Sequence, residues 1–238
     1  VLAQASSACG SIATMSAAAS LRGTVRGQRL RGQLLVGTAP PASVRLELLA
    51  PFGQPVFVFV SHGGRASLLL PREERVLEGA SDDQLLDALA DVPLNGAELR
   101  EVLLGCTAPD AQVSEVRSFG ERWRSVREAR GDTLYYHRDA DGQPWQLVAW
   151  VSPGRRDRPL PWRAEFSNRD RSGVPGRVVL YGLGERRFDV QLQLTDIEVN
   201  RDLDRAVFEL RAPASAVPMS IDDLRRNGPM TVEGRRGQ

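Results

Sequence analysis

The sequence contains no lysine: its 31 basic residues are all arginine, set against 30 acidic residues, for a formal net charge of +1. That balance excludes a bulk electrostatic footprint for nucleic acid, so no nucleic-acid partner is expected. Arginine-only usage reads as the mark of a GC-rich coding sequence, although guanidinium groups do bind phosphate and carboxylate well. Long apolar runs are missing too, and none reaches the ~18 residues that span a bilayer as a helix. The first eight residues, from Val1, are too short and polar for the apolar core of a signal sequence, so any such sequence is expected to have been removed.

Site chemistry is equally sparse. There are two histidines and two cysteines. His62 and His137 fall in different hairpins with no second His or Cys nearby and are expected to face solvent, so no metal site is expected. Nucleophile-elbow, Walker and dinucleotide motifs are missing, and Gly182-Leu183-Gly184 reads as a hairpin turn. The acidic pairs Glu73-Glu74, Asp82-Asp83 and Asp222-Asp223 read as turn or cap residues rather than an acid–base couple. The expectation is a protein that is not an enzyme and carries no cofactor.

What is present is strand periodicity. The 238 residues, 42% of them apolar, are enough for one domain with a sizeable core. Residues 1–14 carry Leu2, Ala5, Cys9 and Ile12 near a 3.6 spacing and predict a short amphipathic helix. From Ser16 the period becomes two: 19–26 and 29–34 alternate around a Gly27-Gln28 turn. Val44, Leu46 and Leu48 point inward while Arg45 and Glu47 face water. The return strand 56–60 is apolar on both faces, so its second face must meet a helix, a ligand or a partner; 65–70 follows. Ser81 with Gln84, and Asn95 with Glu98, are two capping boxes that predict helices over 82–90 and 96–104, the second ended by Gly105. After Pro109 strands resume at 122–126, 133–136, 145–150, 162–166, 177–181, 188–195 and 207–210. Residues 153–161 form a polar loop, and Ser220 opens a short C-terminal helix that ends at Gly228-Pro229. About ten strands in sequential hairpins predict a strongly curved antiparallel sheet.

Residues 44–106 resemble the LolB family of outer-membrane lipoprotein acceptors, and more loosely its partner family LolA. Arg45-Leu46-Glu47-Leu48 before Pro51-Phe52-Gly53 is similar to that family's strand and Pro-Leu-Gly turn. Residues 81–92 are similar to its acidic capped helix, and 94–105 to its segment ending in Leu-Gly. Beyond this stretch only the pattern of strands is similar. The resemblance implies a mainly β (α+β) fold: a curved antiparallel half-barrel of about eleven strands, with lid helices over an apolar cavity. The expected organisation is one domain over 1–238, with an N-terminal helix at 1–14, the half-barrel at 16–212, lid helices within 81–104, and a tail at 213–238.

The implied function is binding the acyl chains of lipoproteins or lipids and delivering them to the outer membrane. A LolA-like periplasmic carrier and the outer-membrane surface are the expected partners. The expected place is the periplasm or the periplasmic face of the outer membrane, with a lipid anchor upstream of Val1 left open. A carrier of free lipid such as a sterol, hopanoid or glycolipid, and a ligand-free interaction module of the envelope, stay as alternatives. The expected acyl-chain lining is Leu46, Leu48, Val56, Val58, Leu85, Leu89, Leu99 and Leu103. In LolB-like proteins the middle residue of the Pro-Leu-Gly turn protrudes for delivery to the membrane. Its counterpart is Phe52, between Pro51 and Gly53; the competing reading folds Phe52 back onto the core. Cys9 and Cys106 suggest one disulfide in an exported protein, with free buried thiols and lipidation of Cys9 as the other readings.

Overall fold

In a computed structural model, the described residues are 10–50, 54–107, 111–184 and 188–230. They form one sheet of 14 strands, from β1 (Met15–Val25) and β2 (Gln28–Ala39) through β3 (Ser43–Leu49), β4 (Pro55–His62), β5 (Arg65–Leu70) and β6 (Arg75–Ser81). Two helices follow, α1 (Asp82–Ala90) and α2 (Gly96–Leu104). The sheet resumes with β7 (Val113–Phe119), β8 (Trp123–Glu128), β9 (Thr133–His137), β10 (Gln146–Ser152), β11 (Trp162–Arg169), β12 (Pro175–Gly182) and β13 (Phe188–Val199). A 3-10 turn (Arg205–Phe208), the short β14 (Val217–Pro218) and α3 (Ile221–Asn227) end the chain's described part.

The spatial order is β14-β6-β5-β4-β3-β2-β1-β13-β12-β11-β10-β9-β8-β7. Each hairpin places its second strand beside its first, and the long β1–β13 pairing, from Met15↔Val199 to Val25↔Phe188, joins the two runs. All pairings are antiparallel except β14 on β6. The expected curved antiparallel half-barrel is the architecture found, with more strands than expected. β6 lacks strict alternation because Gly79 lies within it, and β7 is exposed on both faces, so neither carries the period-two signal.

One face of the sheet is a continuous apolar core. Met15, Ala17, Ala19 and Leu21 from β1 join Leu34, Val44, Phe59 and Leu68 on one side and Leu134, Trp150, Trp162 and Leu180 on the other. Residues so far apart along the strand order meet in one cluster because the sheet curls around them. α1 and α2 fill the inside of that curl, burying Leu85, Leu86 and Leu89, and Leu99, Val102 and Leu103.

Several expectations are corrected by the structure. The segment expected as a strand at 207–210 begins inside the 3-10 turn, whose Asp204 side chain accepts a hydrogen bond from the Ala206 N–H. Its Phe208 packs with Val58, Val60, Leu69 and Val76 on the outer face of the sheet. The N-terminal helix does not extend to residue 14: residues 12–14 are irregular and lead into β1, and residues 1–9 lie outside the described residues. Asn95 and Glu98 do form a capping box, and Gly105 is left-handed at φ 64, closing α2. Ser81 makes no side-chain cap bond to α1. The Asp82 carboxylate turns inward instead, where it accepts hydrogen bonds from the Gly96 N–H at 2.8 Å and the Ser61 hydroxyl at 3.3 Å. That bond ties the start of α1 to the start of α2. Gly96 is required there, since a Cβ would lie 2.8 Å from Asp82 Oδ2 and 3.0 Å from the Ala42 carbonyl.

Candidate functional site: the helix-covered inner face

Seven of the eight expected lining residues come together. Leu46, Leu48, Leu85, Leu89, Leu99 and Leu103 belong to the inner core, and Val56 packs against it half-buried. Val58 does not join them. It points to the outer face, against Phe208 and the 203–216 segment. The reason is pleat parity: Val58 pairs with Glu47, an outward residue, whereas Phe59 pairs with Leu46. The segment that covers Val58 and Val60 answers why β4 is apolar on both faces.

The inner face is densely packed, with Leu85 at 0% exposure and Leu103 at 1%. α1 and α2 cover it and belong to no strand ladder. Their termini are held by arginines. Arg26, in the β1–β2 turn, donates to the carbonyls of Asp87 (3.2 Å) and Ala88 (3.0 Å) and pairs with Asp91 at 2.6 Å. Positive charge at a helix C-terminus is favourable. At the end of α2, Arg169 donates to the carbonyls of Gly105 (3.1 Å) and Leu147. Burial pushes its guanidinium down to about 10, which leaves it charged at neutral pH.

The strongest tie holds the N-terminus of α2. Glu98, only 2% exposed, receives Arg155 at 2.7 Å and Arg158. Arg155 also bonds Asp132 at 2.7 Å, and Arg130 lies 3.0 Å from Asp132 and pairs with Glu128. Three carboxylates and three guanidiniums thus bind α2 to the 153–161 loop and the β8–β9 turn. Burial raises the Glu98 pKa, but the hydrogen bond and charge of Arg158, the Asn95 N–H and the charge of Arg155 outweigh it, so the net shift is downward. Glu128 shifts upward, because burial outweighs its Arg130 partner. This cluster escaped sequence reading. Glu98 reads fully as a capping residue, and Arg155 and Arg158 sit in a segment with every mark of a solvated loop.

Pro51, Phe52 and Gly53 lie outside the described residues. Their flanks do not: the Ala50 N–H donates to the Gln54 carbonyl at 2.8 Å, closing the loop between β3 and β4. Cys106 is buried just past α2 and is not a free thiol; Cys9 lies outside the described residues. His62 is exposed and hydrogen-bonds Ser43 at 2.8 Å. His137 is half-buried and stacks on Trp123 with ring centres 4.5 Å apart, a departure from the solvent-facing expectation. Among the described residues no three His, Cys, Asp or Glu are grouped to hold a metal, and no helix is long and apolar enough to cross a membrane.

No protein-family profile matches the chain, and no curated protein matches it in sequence. Solved structures do match in fold. A LolA superfamily protein from Nitrosomonas europaea superposes with a TM-score of 0.61 at 11% identity, over 88% of this chain and 96% of that one. A putative outer membrane lipoprotein-sorting protein domain from Vibrio parahaemolyticus gives 0.56 at 9% identity, covering 94% and 98%. A DUF1329 family protein from Desulfovibrio piger gives 0.55 at 10%, covering 87% and 94%. The curved sheet wrapped around its covering helices is therefore the LolA-like open-barrel fold.

Proposed function

We propose that this protein binds the acyl chains of lipoproteins or lipids in the bacterial envelope and helps deliver them to the outer membrane, in the manner of a LolB-like acceptor. The observation that carries the reading is the inner face: a continuous apolar surface closed by two helices whose ends are held by arginine ties rather than by strand pairing. Lifting α1 and α2 exposes Leu46, Leu48 and their neighbours without breaking the sheet. Each acyl CH₂ placed there gains about 0.8 kcal/mol, which suits a reversible carrier. Its fold neighbours include a protein described as lipoprotein-sorting. The chemistry proposed is binding and hand-over, without catalysis, cofactor or metal. A LolA-like carrier is the proposed donor and the periplasmic face of the outer membrane the proposed place.

Two finer features belong to the same reading. Cys9 and Cys106 are proposed to be bonded to each other, tying the N-terminal segment to the end of α2. Phe52, in the sequence between β3 and β4, is proposed to protrude and enter the membrane. The experiment is Phe52→Glu, measured for thermal midpoint and for transfer of bound lipid to liposomes. Delivery by this loop predicts an unchanged midpoint and a sharp fall in transfer, since a carboxylate resists apolar surroundings. A fully folded variant with unchanged transfer removes the role from the loop.

A further inference from the structure

The outer face of β1, β2 and β13 carries an arrangement that costs stability in the free protein. Arg22 on β1 lies directly opposite Arg31 on β2, and both are exposed. Inward neighbours Leu21 and Leu34 fix the parity that sends both guanidiniums outward. Like charges in directly opposed positions repel, and neither arginine has a hydrogen bond or ion pair among the described residues. On β13, the residue paired with Arg22 is Gln191, neutral, whose carbonyl accepts from Arg177 at 3.1 Å and whose amide NH₂ is left as a donor. Asp189, two residues before Gln191 on the same face of β13, is set opposite Thr24.

Arg22 and Arg31 both line an open cavity of about 570 Å³, whose wall also holds Leu49 and Ala50, the residues that lead into the 51–53 loop. They also line a second cavity of about 450 Å³, with Arg29, Gln191 and one carboxylate, Asp189, against three arginines. The register places them at the end of the sheet where the β1–β2 turn and the β3–β4 loop both emerge, because Gln33 pairs with Leu49 and Arg31 lies beyond it. Two guanidiniums held side by side, with an amide donor beside them, form a fork that matches the oxygens of a phosphate monoanion or diester.

We infer that Arg22 and Arg31 form a docking site for the phosphates of anionic phospholipid headgroups at a membrane surface. An anion between them relieves the repulsion that the free protein bears. This deepens the carrier reading, on which it rests for the nature of the surface: the site would hold the β3–β4 loop against the bilayer during hand-over. Attraction to an anionic surface is worth about 1 kcal/mol for each basic residue, so losing both predicts binding weaker on the order of thirty-fold.

The test uses the full chain and sedimentation with vesicles of phosphatidylcholine containing phosphatidylglycerol. Three proteins are compared: wild type, Arg22→Gln/Arg31→Gln, and Arg65→Gln/Arg171→Gln. The last pair carries the same change in net charge on exposed arginines at the opposite end of the strands. The inference expects wild type and the Arg65/Arg171 variant to bind alike, the Arg22/Arg31 variant to bind about thirty-fold more weakly, and its thermal midpoint to stay level or rise. Wild type that ignores these vesicles overturns it. So does equal loss in both variants, which makes the attraction one of net charge, and so does a lower midpoint in the Arg22/Arg31 variant, which makes the pair structural. Acyl chains that still co-purify with the Arg22/Arg31 variant separate a failure of docking from a failure of the carrier reading.

Discussion

The two faces of one sheet solve different problems with the same strands. On the inner face, β1 presents Met15, Ala17, Ala19 and Leu21 to a core capped by helices; on the outer face it presents Ser20, Arg22 and Thr24 to open cavities. The inner face spends its arginines in pairs with buried carboxylates and helix carbonyls, whereas Arg22 and Arg31 outside have no such partner. Over β4 to β6 the outer face is apolar, and there the 203–216 segment covers it. The lesson is that alternation within a strand assigns burial, while the partner of each charge assigns its role.

The largest expected effects lie on the inner face. Leu103→Ala should cost about 3–5 kcal/mol, as truncation of a fully buried leucine does, while Leu35→Ala on the outer face, where Leu35 is 39% exposed, should cost less than about 0.5 kcal/mol. Urea unfolding of both variants measures the contrast, and equal losses would erase the distinction between the faces. Next comes Glu98→Ala, which strands Arg155 and Arg158 without their shared partner. Breaking a buried ion pair costs about 3–5 kcal/mol, and the partial exposure of both arginines puts the expected loss near the low end, about 3 kcal/mol. Hydrogen exchange in α2 should rise in that variant more than exchange in β1.

How much of this was legible in the sequence follows from the same contrast. Leu46, Leu48, Leu85 and Leu103 were readable because period-two and period-3.6 patterns report which side is buried. Val58 was not, because a strand apolar on both faces carries no phase. The α2 capping box was plain in Asn95 and Glu98, but the role of Glu98 in the arginine cluster depends on residues 30 to 60 positions away, which periodicity cannot relate. β7 was missed for the opposite reason: an edge strand exposed on both faces has no burial pattern to read.

Smaller effects refine the picture. Gly96→Ala places a methyl against Asp82 and the Ala42 carbonyl and should cost about 1–3 kcal/mol, read by thermal melting; no loss would mean the two helix starts are not locked together. The pH dependence is subtler. Because the folded pKa of Glu98 is lowered, its contribution is complete above the unfolded carboxylate range and is lost as pH falls through the folded value. Glu128, with a raised pKa, works the other way: it opposes folding once ionised in the native state, and protonating it as pH falls restores stability. Glu98→Gln should therefore flatten the acid limb of the stability curve, and Glu128→Gln should raise stability near neutral pH; the reverse pair of results would contradict the assigned shifts.

The most direct measurement is mass spectrometry of an organic extract from protein isolated from a bacterial envelope without detergent. The carrier account predicts acyl-bearing lipid or lipoprotein in near-stoichiometric amount. Protein that emerges free of acyl chains, both as purified and after incubation with lipid vesicles, would contradict it.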